Sequence, residues 1–397
     1  MAHEVLVSLL TAGLKATRIA QACRERKQLF EILVQEKGKL RNNVADFKTL
    51  ADVFIQQVAK TELEKKIPSL GERVFGEENN EFTNTLGESI VVEVKPTMEE
   101  TCNLLAKVLD GNHVAARLLA VEAHSNVEDQ IEKIDKETAE KLSMCEVDID
   151  NIAVWIDPID GTAQYVGGIY KEAKDKHGVH GRGLQCVTVL IGMYNIQTGL
   201  PIMGVVCQPF YENVEGSWKS RCFWGVCCND VRVSNVKSLH EKNVLNRSGD
   251  LNCTVITSPH DKQAYRVVAS CDGVEHCTGG GAGYKCLCVI EGLVDGYLYT
   301  GDACYKWDTC ATHAILSSLG GSIVNLTQAQ VTAAACRDTT ETKFNPQETL
   351  KHLQLLYNTP NPHPSSPWAN IGGILAFGPS NKSSCCVKHV LMAMEQS

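Results

Sequence analysis

The sequence lacks the common signatures of zinc, hydrolase and membrane proteins. Its 397 residues contain no CxxC pair, no HExxH and no GxSxG motif. The missing CxxC and paired Cys/His spacings argue against a zinc ribbon or finger. No apolar run reaches the roughly 18 residues that a membrane helix needs. We therefore expect a protein that neither spans a membrane nor depends on these motifs.

The chain also lacks the basic start of a secretory signal. It begins Met1-Ala2-His3-Glu4, and the short apolar run that follows continues into an amphipathic pattern. We expect a cytoplasmic protein. Its 18 cysteines are scattered. In a reducing compartment, scattered cysteines are buried small apolar residues or idle thiols.

Positive charge is in deficit, because the formal net charge is −9. A nucleic-acid surface would be basic, so we expect no nucleic-acid partner. The deficit does not exclude an anionic small molecule, because bound divalent cations can reverse the sign of a local site. The composition is globular, and the length suffices for one large or two ordinary domains.

The most informative motif is the stretch Trp155–Thr162. The apolar, β-branched run Ile152–Ile156 predicts a buried strand that stops at or just before Pro158, which cannot donate to a sheet ladder. Asp157 and Asp160 would then lie at the carboxyl end of that strand, where open α/β sheets place ligands.

The chemistry of this motif suits a hard cation. Asp157, Asp160 and the Ile159 carbonyl form a short run of oxygen ligands, which favours Mg²⁺ over Zn²⁺. Gly161 allows close backbone approach, and Thr162 offers a hydroxyl. An Asp-Pro turn with both acids solvated explains the local sequence equally well.

Four further carboxylates have local explanations of their own. Asp46 can cap a helix that would place Asp52 on its second turn, where a solvated aspartate is unremarkable. Glu77 and Glu78 follow a glycine and resemble a polar turn. Asp308 lies in the first turn of an apolar helix, where the helix dipole favours a carboxylate.

A glycine-rich turn at 279–283 leads into a predicted helix. It lacks the Lys-Ser/Thr ending of a P-loop and lies too late in the chain for a dinucleotide fingerprint. Backbone N–H groups and Lys285 could face an anion at the helix N-terminus. A tight structural turn is an equally good explanation.

The coarse organisation predicts a mixed α/β fold in two lobes. Leu184–Tyr194 and Pro201–Cys207 predict a β-hairpin, and the second half alternates strands with helices. Polar residues Asn235–Asn252 are the candidate boundary. We predict an N-terminal lobe over 1–240 with most metal ligands, and a C-terminal lobe over 241–397 with the glycine turn and Asp308. The two lobes could form one structural unit.

In order, these motifs resemble one enzyme superfamily. The carriers are Asp52 in DFKTLAD, Gly76-Glu77-Glu78, Asp157–Thr162, and Trp307-Asp308 in a helix ending at Gly320-Gly321. They are similar to the magnesium-dependent, lithium-sensitive phosphatases, which include inositol monophosphatase, bisphosphate nucleotidase and fructose-bisphosphatase relatives. The likeness spans about residues 40–325.

Within the superfamily, the chain resembles most the branch that acts on inositol polyphosphates. The stretches that carry this likeness are Asp46–Gln56, Gly183–Phe210, Gly281–Lys285, Lys306–Leu316 and Trp368–Gly373. The resemblance implies a layered αβαβα sandwich. It also implies a Mg²⁺-dependent phosphomonoesterase that removes the 1-phosphate from inositol 1,4-bisphosphate and inositol 1,3,4-trisphosphate, with Li⁺ as an inhibitor.

The resemblance also implies residue roles. Glu77, Asp157 and the Ile159 carbonyl would hold a first Mg²⁺, and Asp157, Asp160 and Asp308 a second. Glu78 would lie near a third, weaker position.

The remaining implied roles concern water and substrate. Asp52 and Thr162, with Glu77, would serve catalysis by orienting the attacking water. The predicted substrate contacts are Asp160, Gly161, Thr162, Ser258, His260, Gly281, Ala282 and Lys285.

The chain departs from that branch at two places and matches nothing at a third. Members of the branch often carry serine where this chain has Gly161, and the residues of its Ser258–His260 turn differ. The acidic segment 121–150 is interpreted as a surface insertion.

Two rival functions share these motifs. One is a 3′(2′),5′-bisphosphate nucleotidase, and the other is a catalytically silent protein that binds inositol phosphates. We expect a monomer that acts on a small-molecule substrate.

Overall fold

The computed structural model describes residues 1–25, 34–39, 45–83, 87–170, 173–249, 252–337 and 345–394. Its helices are α1 (Ala2–Glu25), α2 (Leu50–Lys66), α3 (Met98–Val108), α4 (His113–His124), α5 (Lys136–Ser143), α6 (Thr162–Gly167), α7 (Lys237–Asn246), α8 (Lys262–Ala269), α9 (Ala282–Ile290), α10 (Lys306–Leu319), α11 (Leu326–Arg337), α12 (Pro346–Thr349) and α13 (Asn381–Met394).

The strands are β1 (Val34–Lys39), β2 (Ala45–Thr49), β3 (Val74–Gly76), β4 (Glu81–Thr83), β5 (Ser89–Val91), β6 (Ile152–Asp160), β7 (Thr188–Asn195), β8 (Pro201–Val214), β9 (Ser217–Cys228), β10 (Val231–Ser234), β11 (Cys253–Thr257), β12 (Val274–Thr278), β13 (Gly296–Tyr299), β14 (Ser322–Asn325) and β15 (Ile374–Phe377). Short 3₁₀ turns occupy Pro68–Arg73, Glu128–Gln130, Ile149–Asn151, Leu184–Cys186 and Lys351–Leu353.

Two larger sheets organise the described part of the chain. A six-stranded sheet has the order β10-β9-β8-β7-β6-β3, and a five-stranded sheet has the order β12-β11-β13-β15-β14. In the first sheet only β3 and β6 run parallel, whereas β11 runs parallel to both β12 and β13. The predicted β7–β8 hairpin is confirmed, although β7 begins at Thr188 because Leu184–Cys186 forms a 3₁₀ turn.

Three cores hold the five layers together. Phe54 of α2 belongs to a core on one face of the six-stranded sheet. Leu287 of α9 and Leu316 of α10 pack in a core between the sheets. Val267 of α8 and Val390 of α13 belong to a third core, which also contains residues of the five-stranded sheet. The predicted αβαβα sandwich is confirmed. The division at residue 240 stays a prediction, since the middle core draws on both halves of the chain.

Three local expectations need correction. Strand β6 continues through Pro158 to Asp160, because a register shift against β7 places the proline where no regular ladder bond is required. Helix α2 is capped by Thr49 rather than Asp46, so Asp52 lies in its first turn. The segment 121–150 is not a simple surface insertion, because its Leu142 is fully buried in the first core.

All eighteen cysteines are free thiols, and most are buried, as the scattered spacing predicts. Within the described ranges, no helix is both long and apolar enough to cross a bilayer.

Candidate metal centre

Three aspartates converge where the six-stranded sheet meets the helices of the middle layer. Asp157 and Asp160 come from β6, and Asp308 comes from α10. One carboxylate oxygen from each lies within 4.8 Å of the others. Asp157 is 2% exposed and Asp160 is 5% exposed. The structure therefore brings together three predicted metal ligands from two distant parts of the chain.

A bulge in β6 explains how two aspartates three residues apart can converge. In a regular strand, residues i and i+3 point to opposite faces of the sheet. From Asp157 to Asp160 the pairing advances three residues on β6, but only from Leu190 to Thr188 on β7. The extra residue reverses the alternation. Asp157 also accepts a hydrogen bond from the Ile159 amide at 3.1 Å, which holds the bulge.

Asp160 is held by the N-terminus of α9. The Ala282 amide donates to Asp160 Oδ1 and the Gly283 amide to Oδ2, both at 2.9 Å. The Thr188 hydroxyl donates to Oδ2, also at 2.9 Å. The anion that the glycine-rich turn was predicted to face is therefore, in this structure, a carboxylate of the chain itself.

Lys285 lies below this turn and is 4% exposed. Its ammonium donates to the Gly281 carbonyl at 2.6 Å and lies 5.0 Å from the centre of the Tyr297 ring. Gly281 has φ +68°, and a Cβ there would come within 2.6 Å of Asp160 Oδ2. These contacts support the turn itself, and the substrate contacts of Gly281, Ala282 and Lys285 stay predictions.

Asp308 is fixed by its own helix. It is the third residue of α10, and the Tyr305 amide donates to its Oδ2 at 2.5 Å. This contact satisfies one of the open N–H groups at the helix start.

Mutual repulsion and burial raise the pKa values of the cluster. Burial, followed by the charges of Glu77, Asp160 and Asp308, raises the pKa of Asp157 well above its usual range. Burial raises the pKa of Asp160, and the nearby Lys285 charge opposes that rise. Burial and the Asp160 charge raise the pKa of Asp308 to about 7. Such a cluster is unfavourable without a cation.

Glu77 lies near Asp157 because β3 pairs with β6, and Glu78 follows it in the chain. The Glu77 amide donates to the Ile156 carbonyl at 3.2 Å. Gln56 of α2 bonds both main-chain groups of Glu78, accepting from its amide at 2.9 Å and donating to its carbonyl. The preceding Gly76 is required, because a Cβ there would lie 2.1 Å from Gln56 Oε1.

Asp52 and Thr162 also have defined contacts. Asp52 is 1% exposed, and its Oδ2 accepts from the Thr49 amide at 2.8 Å and the Thr49 hydroxyl at 2.5 Å. The Thr162 hydroxyl donates to the Ile159 carbonyl at 3.0 Å. Gly161 caps α6 with φ +83°, a conformation that favours glycine.

Ser258 and His260 occupy the turn between β11 and α8. Ser258 is half-buried and His260 is exposed. Among the described residues, no hydrogen bond or ion pair joins either side chain to the aspartate cluster. Their role as substrate contacts stays a prediction.

Sequence reasoning missed three supporting residues, Thr49, Gln56 and Thr188. Thr49 had a usable signal, because Thr-x-x-Asp matches the spacing of a capping box. Gln56 and Thr188 reach the site through long-range contacts, and their local sequence contains no such signal.

The chain has extensive similarity to known phosphatases. The family model described as "Inositol monophosphatase family" matches residues 7–358. Inositol polyphosphate 1-phosphatase of Mus musculus is 40% identical over 395 residues, covering 96% of this chain and 95% of that protein. Human 3′(2′),5′-bisphosphate nucleotidase 1 is 31% identical over 179 residues, covering 45% of this chain and 51% of that protein.

Among solved structures, the extragenic suppressor protein suhB of Bartonella henselae aligns with a TM-score of 0.47 and 16% identity. The alignment covers 97% of this chain and 96% of that one.

Proposed function

The chain belongs to the inositol monophosphatase family, and on that premise we propose that it is a Mg²⁺-dependent phosphomonoesterase acting on inositol polyphosphates. It removes the 1-phosphate from inositol 1,4-bisphosphate and inositol 1,3,4-trisphosphate, and Li⁺ inhibits it. Similarity over nearly the full length to inositol polyphosphate 1-phosphatase of Mus musculus supports this substrate class. The single structural observation behind the chemistry is the convergence of Asp157, Asp160 and Asp308.

The residues present fit Mg²⁺. All donors of the cluster are oxygens, and their raised pKa values show that the site disfavours uncompensated charge. Glu77, Asp157 and the Ile159 carbonyl would hold one ion. Asp157, Asp160 and Asp308 would hold a second.

Two of these ligands keep acceptor capacity despite their contacts. Among the residues that the structure describes, Asp160 Oδ1 accepts only the Ala282 amide, and a carboxylate oxygen has a second acceptor position. The Ile159 carbonyl accepts the Thr162 hydroxyl and also keeps a second lone pair. Glu78 would lie near a third, weaker ion. When bound, Mg²⁺ lowers the pKa of a coordinated water and neutralises charge on the phosphate.

The chain's own residues would position the reactants. Asp52 holds its carboxylate rigidly through Thr49 and would accept a proton from the attacking water, with the Thr162 hydroxyl as its orienting partner. The Gly161 and Thr162 amides at the start of α6 would hold the phosphate. No covalent phosphoenzyme is required.

Direct assay of substrates tests the proposal. Purified protein should release phosphate from inositol 1,4-bisphosphate with Mg²⁺, should lose activity in EDTA, and should be inhibited by millimolar Li⁺. Turnover that survives EDTA would refute the metal mechanism. Activity that is lost in EDTA should return when Mg²⁺ is added back, which distinguishes removal of the metal from denaturation of the protein.

Assays on the same purified protein distinguish the two alternative functions. Similarity to the human bisphosphate nucleotidase covers only 45% of this chain, so we expect adenosine 3′,5′-bisphosphate to be the poorer substrate. A higher kcat/KM for the nucleotide would reverse the assignment. Convergence of the predicted ligands argues against a protein that only binds, and any Mg²⁺-dependent turnover would dismiss that alternative. Action as a cytoplasmic monomer is part of the same proposal, and light scattering tests the monomer.

A further inference from the structure

One buried tryptophan connects the three elements that carry or lead into predicted metal ligands. Trp155 lies on β6, two residues before Asp157, and is 1% exposed. Residues i and i+2 of a strand point to the same face of a sheet. The Trp155 ring belongs to the core between the two larger sheets, so it lies on the face of β6 that packs against the middle layer.

The first contact of this tryptophan is with β3, the strand that leads into Glu77. Phe75 pairs directly with Trp155 in the parallel ladder, and their ring centres are 5.2 Å apart with the planes tilted by 41°. Aromatic rings attract each other at separations of about 4.5–7 Å. The Glu77 amide, two residues further along, donates to the Ile156 carbonyl. The ring pair and this hydrogen bond together hold the start of the Glu77 turn against β6.

The second contact is with the start of α10. Trp307 immediately precedes Asp308, and its ring centre lies 5.8 Å from that of Trp155. The Trp307 ring is stacked on the Tyr305 ring, with the centres 4.6 Å apart and the planes within 3°. The Tyr305 amide is the group that donates to the Asp308 carboxylate. Trp155 therefore packs against the same turn that holds Asp308.

The third contact joins β6 to the segment beside the start of α10. The Trp368 ring packs edge-on against Trp155, with the ring centres 4.9 Å apart. The Trp368 carbonyl accepts a hydrogen bond from the Lys306 amide at 3.0 Å, which satisfies one of the open N–H groups of the helix start. Trp155 is itself oriented by its indole N–H, which donates to the Tyr357 carbonyl at 3.1 Å.

We propose that Trp155 is a positioning residue of the metal centre. Its ring holds β6, which carries Asp157, at a fixed separation from the elements that place Glu77 and Asp308. An indole has no acceptor atom, so Trp155 acts through these ligands and not as a ligand itself. The inference rests on the proposed Mg²⁺ site. Mg²⁺ demands near-ideal octahedral geometry at about 2.0–2.1 Å, so displaced ligands should lower its affinity.

Isothermal titration of Mg²⁺ into metal-free protein tests the proposal. Trp155→Phe keeps one aromatic ring but loses the indole N–H, whereas Trp155→Leu loses the aromatic contacts as well. We expect the Kd for Mg²⁺ to rise about threefold in Trp155→Phe and about tenfold or more in Trp155→Leu. Sucrose in all titrations favours the folded state of each variant. Trp368→Leu changes a half-buried position, should raise the Kd about threefold, and decides the question if the Trp155 variants do not fold.

The matched controls are Trp224→Phe and Trp224→Leu. Trp224 is a buried tryptophan of β9, 7% exposed, and packs in the core on the other face of the same sheet. These variants should lower the Tm of the metal-free protein, as the Trp155 variants do, but should leave the Kd for Mg²⁺ unchanged. A role confined to folding would give this result at Trp155 as well.

Two outcomes overturn the inference alone. One is that the folded variants of Trp155 and Trp368 bind Mg²⁺ as tightly as wild type. The other is that the Trp224 variants raise the Kd by as much as the Trp155 variants. Wild-type protein that binds no Mg²⁺ would instead overturn the proposed function together with this inference.

Discussion

Replacing Asp308 by asparagine should stabilise the metal-free protein while abolishing its activity. One carboxylate oxygen from each of Asp157, Asp160 and Asp308 lies within 4.8 Å of the others. Two unit charges at that distance repel by about 3.5 kcal/mol at an effective dielectric constant of 20. Asparagine keeps the size of the side chain and an acceptor oxygen for the Tyr305 amide. The substitution therefore removes repulsion without removing the helix cap.

The size of the effect should depend on pH in a defined direction. The pKa of Asp308 is raised from 3.8 to about 7 in the fold. Its contribution to the stability of the metal-free protein is therefore full below pH 3.8 and is lost as the pH rises through 7. We expect Asp308→Asn to gain about 2 kcal/mol at pH 5.5 and about 4 kcal/mol at pH 8.5. The gain contains the cost of burying the Asp308 charge, which is the larger cause of the shift, and the repulsion by Asp160.

Calorimetry in EDTA measures this gain. For a chain of this length, about 4 kcal/mol corresponds to a rise in Tm of about 5 °C. Mg²⁺ should raise the Tm of wild type, more at pH 8.5 than at pH 5.5, and should raise that of Asp308→Asn far less. Phosphate release by the variant should fall at least about a hundredfold.

The matched control for this experiment is Asp230→Asn. It removes one charge from an exposed turn between β9 and β10. The reasoning is refuted if Asp308→Asn lowers the Tm in EDTA at pH 8.5. It is also refuted if Mg²⁺ stabilises Asp308→Asn as much as wild type, or if Asp230→Asn gives the same gain.

Two further substitutions test the contacts that hold the acids. A Cβ at Gly283 would lie 2.5 Å from the Thr188 hydroxyl. We therefore expect Gly283→Ala to lower kcat/KM at least about tenfold. Gly249→Ala is the control, because among the described residues its Cβ would meet nothing within 4 Å, and it should leave kcat/KM unchanged. Equal kcat/KM values in the two variants would argue against a role for the hydrogen bonds that hold Asp160. Thr49→Val should lower the unfolding free energy by about 1 kcal/mol and slow turnover, because Asp52 loses its hydroxyl donor. Thr49→Ser should restore both, and failure of that rescue would assign the loss to packing.

The sequence was most informative where the physical cause is local. Periodicity and turn chemistry located β13 and α10 at their observed bounds. The strand before Asp157 was predicted for the same reason, since a β-branched apolar run has few alternatives. The predicted end of this strand was wrong because the effect of Pro158 was judged without its pairing partner. The bulge that accommodates it depends on the pairing register with β7, which the sequence of β6 does not contain.

Long-range contacts account for most of what could not be predicted at the site. One of the two explanations left open for the glycine turn had its amides facing an anion, and in the structure they face Asp160, which is 122 residues away from Ala282. Nothing local distinguishes a substrate phosphate from a carboxylate of the same chain. The convergence of Asp308 with the β6 acids was likewise implied by resemblance, not by periodicity or spacing.

The contacts of each acid suggest why the cluster tolerates its own repulsion. Asp308 is held by a backbone amide at 2.5 Å, and Asp160 by two amides and a hydroxyl. Hydrogen bonds to a charged carboxylate favour its ionised form, which opposes the effect of burial. The acids are therefore oriented by folding, before any cation arrives. Metal binding then relieves repulsion without ordering new side chains. An aspartate that loses its hydrogen-bond donors should therefore bind Mg²⁺ more weakly, even though its carboxylate remains.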